Sequence, residues 1–299
     1  MFAKPKEGLN PCPLIAFHSG HSKCARMHMG AKWNQWHIGN VHGEEMKATQ
    51  KEKYLGDQIN NKGNTKDTIQ ERTSKGYAIV SQILAMIKEL PIGQLRTKIG
   101  LILRDARLVK GTLYNSEVWH GITRNTIRPL ESVDQHLLRQ LLGAHGKTPL
   151  EFLYLETGCI PLMYIIMSRR LIYLKEILSR PEDELIQRMY RSQKSRPKQG
   201  DWCEMVKSDF DMLRVHMSDE VIASMGTKSY KSYIKSMAKK AAFEELMNIQ
   251  ASRSKVKDIT YENNGKPQDY LTSIYLSAMS YLKQFKLKKN QSLAMCLKM

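Results

Sequence analysis

Four basic residues recur along one predicted helix at a spacing that would suit nucleic-acid binding. They are Arg96, Arg104, Arg107 and Lys110. Cationic groups that project from one side of a helix can meet successive phosphates, and such contacts position a backbone without reading its sequence. The alternative is an ordinary solvated helix face, partly neutralised by Asp105. The pattern therefore predicts a sequence-independent contact with a phosphate backbone, with the solvated face as the competing interpretation.

Carboxylates arranged for metal-dependent chemistry are absent from the sequence. Polymerases and nucleases that use divalent ions need two or three converging carboxylates, and this sequence has no adjacent pair of aspartates. Its densest acidic site is Glu182, Asp183 and Glu184, which has the composition of the first turn of a helix. We therefore expect no catalytic residue, no metal site and no other cofactor in this chain.

Histidine and cysteine are also poorly spaced for metal binding. Five histidines and two cysteines, Cys12 and Cys24, lie in the first 42 residues. Structural zinc sites usually present two close pairs of ligands, and this spacing does not provide them. The chain has five cysteines in all, an odd and scattered set that favours reduced thiols in an intracellular protein.

The charge balance points to a polyanionic partner. The chain has 47 Lys and Arg against 29 Asp and Glu, and residues 75–200 alone have 20 against 11. Spread positive charge favours nucleic acid over small neutral ligands. A membrane-spanning segment is not predicted, because the most apolar stretch, 159–167, is shorter than the ~20 residues that spanning requires. We expect residence in the nucleus or the cytoplasm.

The pattern along the chain predicts a mainly α fold in which a helical bundle follows a small antiparallel β-hairpin region. Residues 1–22 are rich in proline and glycine and are predicted to be an irregular leader. Residues 23–62 suit short strands and a hairpin. Apolar residues then recur every three or four positions, which predicts a helix of about six turns before Pro91. Further helices are predicted at 95–113, 123–142, 161–178, 185–191, 202–213, 228–249 and 270–287.

Several short motifs, in order, resemble the reverse transcriptases of non-LTR (LINE-type) retrotransposons. KEKYLGD at 51–57 looks like the primer-grip hairpin of that family. Upstream, SKCARMHMG at 22–30 and VHGEEM at 41–46 resemble strands at the end of the palm domain. The motifs similar to the thumb and its continuation are NSEVWHG at 115–121, LEFLYLETG at 150–158, IMSRRL at 166–171 and GDW at 200–202. The resemblance covers roughly residues 22–270.

This resemblance implies roles for individual residues. Lys23 corresponds to the lysine that approaches the phosphates of the incoming nucleotide. Tyr54, Leu55 and Gly56 correspond to the turn that holds the primer end. The resemblance also implies a helical thumb-like domain at 63–200, which grips duplex backbone and contains the basic cluster, and a helical C-terminal extension at 201–299.

The departures from the family are as informative as the matches. In the family, the palm and its Tyr-x-Asp-Asp carboxylates precede the motif that corresponds to Lys23, and the first 22 residues do not resemble them. The expected function is therefore that of a truncated RNA-directed DNA polymerase fragment without catalytic carboxylates, and thus no enzyme as it stands. Its residual capacity would be sequence-nonspecific binding of an RNA/DNA hybrid or an RNA duplex, and a palm-containing polymerase chain is a further candidate partner. The alternative is a non-catalytic helical module for protein interaction or structure, with no nucleic-acid role.

Overall fold

The computed structural model describes residues 25–27, 40–41, 44–45, 47–54, 56–90 and 94–252. The predicted leader, Lys23, Leu55 and the predicted helix at 270–287 lie outside the described residues. The chain divides between Gly63 and Asn64 into two compact units. The prediction of a mainly helical protein preceded by a small antiparallel hairpin is confirmed.

Short paired strands make up the described part of the first unit. They are β1 (Ala25–Arg26), β2 (Asn40–Val41), β3 (Glu44–Glu45), β4 (Lys47–Ala48), β5 (Lys51–Tyr54) and β6 (Asp57–Asn60). β1 pairs with β4 in parallel, whereas β2 with β3 and β5 with β6 form antiparallel pairs. In the β5–β6 hairpin Tyr54 lies opposite Asp57, so two residues connect the strands. Gly56 in this turn has a φ of 89°, a conformation that favours glycine.

Helices build the second unit. In chain order they are α1 (Lys66–Met86), α2 (Gln94–Leu103), a π-helical segment (Arg104–Val109), α3 (Lys110–Thr112), a 3₁₀ turn (Ser116–Val118), α4 (Arg124–Leu142), α5 (Leu150–Thr157), α6 (Leu162–Leu178), α7 (Leu185–Ser195), α8 (Trp202–Met212), α9 (Asp219–Ser224) and α10 (Thr227–Ala251). α2, the π-helical segment and α3 follow one another without a break, so they fill the predicted helix at 95–113. The short α9 was not predicted.

The first half of this unit packs α1, α4 and the continuous α2–α3 segment around two apolar clusters. Ile69 of α1 packs in the same cluster as Ile127 of α4, and Val80 packs in the same cluster as Leu137, so α1 and α4 run in the same direction. Gly76 allows the close approach, because a Cβ there would lie 3.1 Å from a Val133 methyl carbon. These contacts fix the orientation of the segment that bears the basic cluster.

α4 has both of its ends defined by local sequence. The hydroxyl of Thr123 accepts a hydrogen bond from the backbone N–H of Thr126, and the Thr126 hydroxyl accepts one from the backbone N–H of Thr123. This reciprocal capping satisfies two donors that a helix start would otherwise leave unpaired. Gly143 ends the helix in the left-handed conformation, with a φ of 62°. α4 therefore begins and ends where the sequence predicts.

α6 is the central helix of the second half of the unit. α8 and α10 pack against it, and the shared cluster includes Leu171, Leu174, Val206 and Ile234. α6 lies before the predicted boundary at residue 200, and α8 and α10, which lie after it, pack in the same cluster; the boundary itself stays a prediction. No single described helix is long and apolar enough to cross a membrane, although α5 and α6, bent by 60°, reach that length and composition as a pair.

Candidate nucleic-acid interface

The basic cluster lies on the segment from α2 to α3, where the structure separates its members instead of aligning them. Arg104 is buried, Arg96 is half-buried, and Arg107 and Lys110 are exposed. The cause is local. Arg104 lies four residues before the buried Leu108, which places both side chains on the same side of the helix, whereas Arg107 and Lys110 are exposed. The four cations therefore do not form one phosphate-binding row.

Arg104 is a structural residue, and its predicted role as a backbone contact is corrected. Its Nε and Nη2 atoms donate to Asp134 Oδ1 and Oδ2 at 2.6 and 2.7 Å, and Nη2 also donates to the carbonyl of Ile160 at 3.2 Å. Burial is the largest single effect and would lower the pKa of this guanidinium. The charge of Asp134 and the hydrogen bonds to it, together with nearby Cys159 and Tyr154, outweigh burial, so the pKa of the guanidinium is raised. The pair joins the π-helical segment to α4, so Arg104 is not available to a phosphate.

Asp134 has a further buried neighbour on α5. The hydroxyl of Tyr154 donates to Asp134 Oδ2 over 3.4 Å. Burial, helped by the nearby carboxylates, raises the pKa of this phenol well above its usual value. Tyr154 therefore stays a neutral hydrogen-bond donor, and the network of Arg104, Asp134 and Tyr154 ties three elements of the unit together.

Arg107 and Lys110 are the members of the cluster that remain accessible. Arg107 lies beside α1, where its Nη1 atom is 3.1 Å from the sulfur of the exposed Met86. Neither Arg107 nor Lys110 forms an ion pair with any described residue. The nearby Asp105 is engaged by Arg104 at 2.9 Å. Within the described part of the chain, two cations therefore face solvent three residues apart, next to α1, without a counter-charge.

Arg96 lies in α2, far along the same segment. It is half-buried, and its Nε atom is buried with no hydrogen-bond partner among the described residues. Lys110 lies fourteen positions further along the segment, which corresponds to about 20 Å at the usual rise per residue of a helix. The structure therefore does not bring Arg96 together with Arg107 and Lys110.

The primer-grip-like residues are only partly described. Lys23 and Leu55 lie outside the described residues. Tyr54 closes β5 with 37% of its surface exposed, and Gly56 lies in the hairpin turn. Because the hairpin belongs to the first unit, the roles implied for these residues stay predictions.

A second buried ion pair in the helical unit was not predicted from the sequence. Arg170 of α6 donates to Asp209 of α8 at 2.6 Å, and both side chains are buried. Burial raises the pKa of Asp209 to about 6 in spite of this arginine. Asp134 and Asp209 each lie within a predicted helix, and an aspartate at an inward position of an apolar helix signals a buried partner.

Metal coordination finds no support in the described ranges. They contain no group of three or more His, Cys, Asp and Glu side chains placed to hold a metal ion. The histidine-rich N-terminal segment lies almost wholly outside these ranges.

The chain was compared with known proteins at three levels. No family model, no curated protein and no solved structure matches it.

Proposed function

We propose that the helical unit binds the phosphate backbone of a nucleic-acid duplex, either an RNA/DNA hybrid or double-stranded RNA, without reading its sequence. In this proposal the chain is part of a retrotransposon-type reverse transcriptase, and its 299 residues hold no carboxylate motif for nucleotide addition. Duplex binding is then the capacity that a thumb-like bundle retains, and nucleotide incorporation by the purified chain is not expected.

The observation that carries the proposal is the exposure of Arg107 and Lys110, neither of which is paired with a described carboxylate. Both side chains are exposed, and the nearby carboxylate of Asp105 already accepts a hydrogen bond from Arg104. Two accessible cations therefore lie on a packed helical segment. Because the backbone that carries them is already ordered, binding restricts only the two side chains, and such cations can position a phosphate backbone. The excess of basic over acidic residues between 75 and 200 strengthens the attraction at longer range.

The proposal is tested by fluorescence anisotropy with the full chain and a labelled RNA/DNA hybrid at about 50 and about 200 mM salt. Replacement of Arg107 and Lys110 by glutamine removes two phosphate contacts. We expect the slope of log K against log salt to become shallower by roughly 1.4–1.8, because each of the two contacts contributes about 0.7–0.9. At the lower salt the affinity falls at least severalfold.

A control with the same loss of charge separates a local contact from general attraction. Lys147 and Lys207 are exposed and lie outside the cluster, and their double glutamine variant keeps the affinity of the unmodified chain under the proposal. Equal losses from both variants would show that net charge alone drives binding. No binding at low salt would reject the proposal and favour the alternative of a protein-interaction module.

A further inference from the structure

The first two thirds of α10 contain a run of lysines that the function proposed above does not use. Residues 227–243 contain five lysines and no aspartate or glutamate. Spacings of three, four and four residues place Lys228, Lys231, Lys235 and Lys239 along one side of the helix, with Lys240 adjacent. This set of five is the α10 lysine row.

The opposite side of α10 fixes the helix to the protein. Tyr230, Ile234, Ala238 and Ala242 are completely buried against the core around α6. The hydroxyl of Tyr230 also donates to the carbonyl of Leu171 at 3.2 Å. The apolar face of α10 is therefore already covered, and the lysine row is held on a rigid support.

The carboxylates near this helix neutralise little of the row. Among the described residues, Glu176 pairs with Lys231 at 3.2 Å, and the side chains of Lys231 and Glu176 are 41% and 48% exposed. Glu244 and Glu245, which follow the row on α10, are engaged by Arg214 and Arg124. Lys228, Lys235, Lys239 and Lys240 form no ion pair with a described residue.

From this arrangement we propose that the α10 lysine row is a second, independent binding surface for a nucleic-acid phosphate backbone. The row spans about 18 Å at the usual rise of a helix. A duplex carries one charge per about 1.7 Å of its axis, so several phosphates lie within reach of the row. The exposed hydroxyls of Ser229, Ser232 and Ser236 lie among the lysines and are suitable donors to phosphate oxygens.

The chemistry of the row favours nucleic acid over an anionic membrane. A helix that lies on a membrane inserts an apolar face between lipid headgroups. Between residues 227 and 243, all of them described, no large apolar side chain is exposed, since Tyr233 and Met237 are half-buried in the core. The row therefore offers charge and hydroxyl groups but no apolar anchor.

The test replaces Lys228, Lys235, Lys239 and Lys240 of the full chain with glutamine and leaves Lys231 with its glutamate. Binding of a labelled RNA/DNA hybrid is measured by anisotropy at about 50 and about 200 mM salt. We expect affinity at the lower salt to fall at least tenfold and the salt slope to become shallower by roughly 3, since each phosphate contact contributes about 0.7–0.9. Urea unfolding of the variant checks that the fold is retained.

The matched control replaces four other exposed lysines with glutamine. They are Lys66, Lys88, Lys147 and Lys207. The proposal holds if this control binds at least tenfold more tightly than the α10 variant. Equal losses from the two variants, or unchanged binding by the α10 variant, would overturn it.

Two further arms distinguish the α10 lysine row from a membrane-binding surface and from the α3 contact. Vesicles of phosphatidylserine and phosphatidylcholine serve as the membrane probe, and tighter, row-dependent binding to them than to the hybrid would overturn the choice of nucleic acid. The Arg107 and Lys110 variant tests the α3 surface separately. Loss of binding only in the α10 variant would reject the α3 contact and sustain the α10 surface, whereas loss only in the α3 variant would do the reverse.

Discussion

Removal of the Asp134 carboxylate should destabilise the helical unit strongly, because Arg104 would remain buried without a counter-charge. The side chains are 0% and 3% exposed for Asp134 and Arg104, and two charge-assisted hydrogen bonds join them. Breaking a buried pair by removing one partner costs about 3–5 kcal/mol. Two lost hydrogen bonds to charged groups, at roughly 1.5–3 kcal/mol each, give a similar figure. We therefore expect Asp134→Ala to lower the free energy of unfolding by about 4 kcal/mol.

Urea unfolding, followed by the fluorescence of the buried Trp119, measures this loss directly. Arg104→Met should be destabilising as well, because it leaves the Asp134 carboxylate unpaired. The double variant, Arg104→Met with Asp134→Leu, should lose less than the sum of the two single variants, since it leaves no buried charge. The matched control is Arg107→Met, an exposed arginine three residues further on, for which we expect a change within about 0.5 kcal/mol.

The same variants decide between a structural and a binding role for Arg104. A cost below about 1 kcal/mol for Asp134→Ala would show that the pair is not buried as described. If Arg104→Met kept full stability but lost affinity for the RNA/DNA hybrid, the helix-face prediction would be right and the burial argument wrong.

Two further predictions concern packing and pH. Gly100→Ala should cost about 1–3 kcal/mol in the free energy of unfolding, because its Cβ would overlap a methyl carbon of the buried Leu141. Gly146→Ala, with nothing within 4 Å of the new Cβ, should be close to neutral, and equal urea midpoints for the two variants would contradict the packing. The raised pKa of Asp209 means that the folded chain keeps a proton which the unfolded chain releases from about pH 4, so this contribution to stability is lost as pH rises towards 6. Asp209→Asn leaves Arg170 without its counter-charge but lacks that pH dependence, so the difference in the free energy of unfolding between the variant and the unmodified chain should move by up to about 3 kcal/mol in favour of the variant between pH 4 and pH 6.5. A constant difference across this range would contradict the shift.

The regular parts of the fold follow from local patterns in the sequence. α4 shows why this works, since its apolar period, the cap at Thr123 and the stop at Gly143 all point to the same boundaries. Where the chemistry of one segment depends on distant partners, such patterns are insufficient. Arg104 looks like its exposed neighbours in the sequence, and only its pairing with Asp134, 30 residues away, determines that it is buried.

The α10 lysine row illustrates a different limit. The sequence shows the run of five lysines without an acidic residue, but the larger charge excess of residues 75–200 favours the earlier helix as the binding surface. Which lysines lie on the outer side depends on the packing of Tyr230 and Ile234 against α6, a tertiary property. α9 was missed for a simpler reason, because its six residues are too few to show a helical period.

The π-helical segment has a consequence for how this helix tolerates changes in length. An extra residue accommodated in a wide turn rotates everything downstream by about 100° relative to a regular α-helix. Arg104, at the start of the wide turn, is directed to the interior, and Lys110, directly after it, is directed to solvent. Deletion of one residue within 105–109 would remove the wide turn and rotate the residues after it by about 100° relative to those before it. It would force a choice between burying Arg104 and keeping Leu113 in the core, so this stretch is where the helix should be least tolerant of insertion or deletion.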